Sequence, residues 1–178
     1  MAADASSGPR TPSDFERPSS SLSGRLTLRM MNVGHSRLHR WGLEAAGIGH
    51  SSRVLDVGCG GGAAVRRILR LTRAEVGAVD HSPAAVESTR RLNAAAAASG
   101  RLRVVEGSVE ALPFRSGYFD VVTAFETVYF WPDLVAGLRE TARVLAPGGR
   151  LVVADECADR QAAGAWADRL AMNVPDGD

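Results

Sequence analysis

Between residues 53 and 154 short apolar runs alternate with stretches of helical periodicity, and this alternation narrows the possible architectures to one class. The apolar runs are Arg53-Val-Leu-Asp-Val57, Glu75-Val-Gly-Ala-Val-Asp80, Leu102–Glu106, Phe119–Phe125 and Arg150–Ala154, all of strand length. Between them, Ala63–Leu71 reads as a helix. Pro83 opens another that the alanine series carries to Ser99, and Pro132 opens a third reaching Leu145. Ahead of the first strand, His35 to about Ile48 is helical, with Leu38, Trp41, Gly42 and Ala45 on one stripe. Helices alternating with strands imply parallel pairing. The expected fold is α/β, a doubly wound, mostly parallel sheet of about five strands with helices on both faces.

Residues 1–29 are rich in Ser, Pro, Ala and Arg and are expected to form a disordered tail, leaving 30–178 as one domain. The charge is nearly balanced, 21 basic against 20 acidic residues, so no field for nucleic acid or an anionic membrane is expected. Every basic residue is Arg, a compositional bias without functional weight, and Arg66, Arg70 and Arg73 read as a solvated helical stripe. Cys59 and Cys157 lack paired spacing and suit a reducing compartment. No apolar run approaches the roughly 20 residues of a membrane helix, and the expected location is cytoplasmic.

The chemistry concentrates in Asp56-Val-Gly-Cys-Gly-Gly-Gly62, a glycine turn between a strand and a helix. Such a turn lets backbone approach a ligand and aims helix N-terminal amides at it. Gly58, Gly60 and Ala63 also fit a dinucleotide fingerprint, so the glycines alone do not select a cofactor. Asp56 does. A carboxylate beside a pyrophosphate would repel it by about 4 kcal/mol at 4 Å and an effective dielectric near 20. A ligand carrying ammonium and sulfonium charges is attracted instead. Asp80 ends the second strand, 24 positions after Asp56, where an acid can accept bonds from ribose hydroxyls. The competing reading makes both acids helix caps, but Ser82 before Pro83 is the better cap.

These segments resemble the motifs of class I S-adenosylmethionine (SAM)-dependent methyltransferases with a Rossmann-like fold. Val54–Gly62 is similar to their first motif and Ala78-Val-Asp-His-Ser82 to the acidic second-strand motif. Leu112-Pro-Phe114 with Phe119-Asp-Val-Val122, and Arg143-Val-Leu-Ala-Pro-Gly-Gly149, resemble the later motifs of the small-molecule "type 11" branch. The resemblance implies that Asp56, Gly58, Cys59 and Gly60 line the methionine and ribose side of bound SAM. It implies that Asp80 holds the ribose, that His81 lies along the adenosine, and that Ser108 and Val109 border the adenine. Phe125 and Glu126 would face the sulfonium. No Asn/Asp-Pro-Pro-Tyr sequence stands near Glu126, which disfavours nucleic acid and protein amide acceptors.

Methyl transfer depends mainly on alignment, so no general base is obligatory. The candidates are His35, Glu126 and Tyr129. The aromatics Tyr129, Phe130 and Trp131 either shape an apolar acceptor pocket or pack the loop onto the next helix. No metal site is expected, since His35 and His39 lack a third ligand at recognisable spacing. The family's sheet usually has two further strands, whereas 22 residues follow Glu156 and Gln161–Met172 reads as one helix. The fifth strand would then be an edge through which copies could associate. The favoured function is methyl transfer to a small molecule. The alternatives are a non-catalytic SAM-binding module and a nicotinamide-dependent oxidoreductase.

Overall fold

The computed structural model describes residues 36–156. His35, Cys157, the expected tail and the expected helix 161–172 lie outside them. The elements follow in order: α1 (Ser36–Ala46), β1 (Val54–Val57), α2 (Ala63–Leu71), β2 (Val76–Asp80), α3 (Pro83–Leu92) and α4 (Ala94–Ala98). Then come β3 (Leu102–Glu106), a 3-10 turn at Val109–Ala111, β4 (Phe119–Phe125), a second at Val128–Phe130, α5 (Leu134–Val144) and β5 (Leu145–Ala154).

The strands form one parallel sheet in the order β3-β2-β1-β4-β5, so the chain reverses direction between β1 and β4. Alternation along β1 and β4 sends side chains into two separate cores. Val54, Val121 and Phe125 join Leu43, Val65, Ile68 and Val86 beneath α1, α2 and α3. Leu55, Val57, Val122 and Ala124 join Phe114, Phe119, Trp131 and Val144 beneath α5. This is the doubly wound α/β arrangement expected from the sequence. Among the described strands β5 stands at the edge, with Val153 exposed. The segment Ala146–Gly149 bulges out between the pairs Phe119–Leu145 and Val121–Arg150.

Three local expectations need correction. On α1 the buried residues are His39, Gly42, Leu43 and Ala46, while Trp41 is 63% exposed. The stripe is rotated because Gly42 lets the helix settle on Phe125, whose Cε1 lies 2.5 Å from where a Cβ would stand. The helix from Pro83 to Ser99 is interrupted at Asn93 (φ −120°), whose side-chain amide donates to the carbonyls of Thr89 (2.9 Å) and Gly62 (3.3 Å). α5 starts later than Pro132, because Asp133 caps it by accepting from the Ala136 amide at 2.9 Å.

Candidate active site

The carboxyl ends of β1 and β4 open into a small cleft between α1 and the glycine loop. Six of the residues singled out in the sequence line it: Asp56, Gly58, Cys59, Gly60, Phe125 and Glu126. This is the position where doubly wound sheets bind ligands, at the reversal of strand order.

Asp56 is 1% exposed, and its Oδ1 accepts the Thr123 hydroxyl at 2.6 Å. The two are paired across the ladder, so both project to the cleft face. Burial pushes the Asp56 carboxyl up to about 7; the Thr123 hydrogen bond opposes the rise, and the Asp80 charge adds to it. No basic side chain among the described residues offsets that charge. Replacing Thr123 by Val should therefore raise the Asp56 pKa further, which carboxyl NMR titration of the free protein would show.

The loop itself is held from outside. The Gly58 and Cys59 amides donate to the Val79 carbonyl, at 2.8 and 3.1 Å. The Gly60 amide donates to Asp80 Oδ2 at 2.9 Å, and the Thr89 hydroxyl donates to the Gly60 carbonyl at 3.0 Å. Gly58 has φ 75°, and a Cβ there would stand 2.3 Å from Thr127 Oγ1. The turn after β4 thus fills the space that any side chain at position 58 would need.

Asp80 is 8% exposed, with its Oδ1 accepting the Ser82 amide at 2.9 Å. Each carboxylate oxygen can accept a second bond, so the acid retains capacity for a ribose. Burial pushes its pKa up while the Ser82 and Gly60 amides pull it down. Ser82 caps α3 by accepting from Ala85 at 3.3 Å, as expected. His81 is half exposed beside Asp80, with Nδ1 3.8 Å from Oδ1. Ser108 caps the following 3-10 turn, accepting the Glu110 amide at 3.2 Å, and Val109 is buried in the α5 core. None of Asp80, His81, Ser108 and Val109 lines the cleft; all four lie at or beyond the ends of β2 and β3.

Glu126, at φ 53°, is the one non-glycine residue with positive φ among those described. Its carboxylate accepts the Tyr129 hydroxyl and the Glu156 amide. Such backbone strain in a cleft is often retained for function. Tyr129 is buried and reaches the cleft through Glu126, whereas Trp131 packs on Gly137 of α5, with Cε3 2.5 Å from a Cβ there. For Trp131 the packing reading is correct. Burial pushes the Cys59 thiol well up, so it is no thiolate nucleophile.

His39, Ala63, Ala64 and Gly61 also line the cleft. The sequence offers no role for His39 beyond a metal site it does not support; in the structure the imidazole packs edge-on to Phe125 at 5.0 Å. The sequence signal for it is its placement one turn before Gly42 and Leu43, on the face that the helix buries.

A reversal-point cleft with a buried acid, a bare glycine loop and a second acid at the next strand end defines an α/β protein that binds a nucleoside-type cofactor. A Methyltransferase domain family model matches residues 55–153, and the chain belongs to that family, the type 11 branch of class I SAM-dependent methyltransferases. It is 34% identical over 130 residues to a ubiquinone/menaquinone biosynthesis C-methyltransferase of Stutzerimonas stutzeri, covering 70% of this chain and 50% of that protein. A Haloferax volcanii protein solved with the Trm112 methyltransferase activator superposes with TM-score 0.79 at 21% identity, over 94% of this chain and 71% of that one. A geranyl diphosphate methyltransferase, solved with GPP and the SAM analogue sinefungin, gives TM-score 0.69 at 21% identity, over 79% and 54% of the two chains. The chain spans about half or less of the length of the first curated relatives it matches. The cofactor of this family is S-adenosyl-L-methionine, and the uncompensated Asp56 carboxylate in the cleft fits its positive charge.

Proposed function

We propose that the chain transfers a methyl group from SAM to a small-molecule acceptor. The observation that carries this reading is Asp56, a buried acid on the cleft wall with no cationic partner among the described residues. When bound, SAM supplies an electrophilic methyl group on a positive sulfur. The chain's own part is placement and electrostatics. Asp56 offers negative potential to the cationic end, Gly58, Cys59 and Gly60 admit it closely, and Asp80 receives ribose hydroxyls. His81, Ser108 and Val109 flank the adenosine, and Phe125 excludes water beside the reacting centre. Glu126, oriented by the Tyr129 hydroxyl, is the group placed to accept a proton from an acceptor that must lose one.

The test follows from the sign of the Asp56 shift. A cationic ligand favours the charged carboxylate, so binding releases a proton and affinity rises with pH through about 7. SAM affinity should increase ~8-fold between pH 6 and 7.5, as expected for one group of that pKa. Titration calorimetry near pH 7 in buffers of different ionisation enthalpy should report the proton directly. Absence of heat with millimolar SAM would refute the reading.

Two further features belong to the proposal. Association with a second protein chain, including self-association, would use the β5 edge, and light scattering of the native protein reads it. A cytoplasmic location accords with Cys59 as a free, buried thiol and with the lack of a membrane-length apolar helix among the described residues.

A further inference from the structure

We propose that His39 binds the carboxylate at the methionine end of SAM, and that Arg67 is a positioning residue that makes His39 a hydrogen-bond donor. This deepens the methyltransferase reading and rests on it. His39 lies on α1, lines the cleft and is 8% exposed. Its ring is held from two sides. Phe125, also on the cleft wall, packs edge-on to it at 5.0 Å with 64° between the planes. Arg67, half-buried on α2, places Nη1 3.4 Å from His39 Nδ1 and donates from the same nitrogen to the Ala63 carbonyl at 3.1 Å. Ala63 lines the cleft and Arg67 does not, so the guanidinium stands behind a wall to which the imidazole belongs.

That contact decides the chemistry of the imidazole. A guanidinium has N–H donors and no acceptor, so it meets Nδ1 favourably only where that nitrogen presents its lone pair. The ring hydrogen then sits on Nε2, and His39 is a neutral donor. Its one lone pair faces Arg67, so it is no general base, and that role stays with Glu126. The positive charge behind the ring polarises it and strengthens a bond from Nε2–H to an anion. SAM is positive at its ammonium and sulfonium and negative at its carboxylate. Among the lining side chains, Asp56 and Glu126 attract the positive groups, the Cys59 thiol is a weak donor, and Phe125, Ala63 and Ala64 are apolar. Of the described residues on the cleft wall, His39 is thus the side chain suited to the negative group. Recognition of both poles of the amino-acid end separates SAM from adenosyl compounds that lack the carboxylate.

The experiment titrates the full chain with SAM and with decarboxylated SAM, which keeps the amine, the sulfonium and the adenosyl group. The native protein should bind SAM about tenfold more tightly, the weight of one hydrogen bond to a charged group. In His39→Ala the Kd for SAM should weaken about tenfold while that for decarboxylated SAM stays within about twofold, so the preference disappears. His39→Gln keeps an N–H donor and should retain part of the preference. In Arg67→Met the preference should shrink, and nitrogen NMR of the His39 ring should change from protonation at Nε2 alone to a mixture of both tautomers. A merely structural role for Arg67 would not move that signature. Equal weakening of both ligands in His39→Ala would overturn the assignment. So would a native ring protonated at Nδ1, or equal native affinity for the two ligands, both of which are read without any substitution. No heat from either ligand would refute the methyltransferase reading and this inference with it, whereas SAM binding without the preference overturns this inference alone.

Discussion

Replacing Asp56 by Asn is expected to make the free protein more stable at pH 8 while removing its affinity for SAM. Folding raises the Asp56 pKa from 3.8 to about 7, so the folded state holds its proton more tightly than the unfolded chain. Stability from this group is therefore present at low pH and lost as pH rises from about 4 to about 7. Three pKa units correspond to about 4 kcal/mol, an upper figure for the penalty of burying the charge. Asn keeps an oxygen for the Thr123 hydroxyl and never ionises, though its amide needs a new partner. A gain of about 2 kcal/mol at pH 8 would raise the Tm by roughly 4–8 °C, shrinking toward zero at pH 4. Thermal melts across that range, with SAM titrations beside them, check both halves. An unchanged Tm at pH 8 together with intact SAM binding would refute the role assigned to the acid.

The second large effect is expected at Gly58. Adding a methyl group there strains a backbone held at φ 75° and drives Cβ to 2.3 Å from Thr127 Oγ1. Backbone strain and overpacking each cost about 1–3 kcal/mol, so Gly58→Ala should lose about 2–6 kcal/mol and most cofactor affinity. Thr127→Gly empties the opposing space. The double variant should recover the steric part of the loss and retain the strain. A double-mutant cycle from denaturant unfolding gives the coupling directly. Additive losses would show that Thr127 does not occupy that space.

What the sequence disclosed was the part governed by short-range patterning. β3, β4 and α2 have their expected bounds, because apolar runs and turn glycines are local signals. The errors came where a distant side chain decided. Asn93 breaks the long helix by bonding Gly62 across the fold, which alanine propensity alone gives no reason to expect. The stripe on α1 was misassigned because only the packed structure shows Phe125 nestling against Gly42. Asp56 was singled out from charge logic. Its pairing with Thr123 depends on the β1–β4 register, which no single strand encodes.

The glycine turn has no side chains of its own to stiffen it, yet Asp80, Thr89 and Asn93 tie its backbone to β2 and α3 before any ligand arrives. Its conformational freedom is thus surrendered when the chain folds, and a ligand reaching it would meet a rigid template rather than a floppy ribbon. Recognition should be quick and accompanied by little entropy loss from the protein. Selection at the turn will extend to three residues that touch it only from the neighbouring strand and helix.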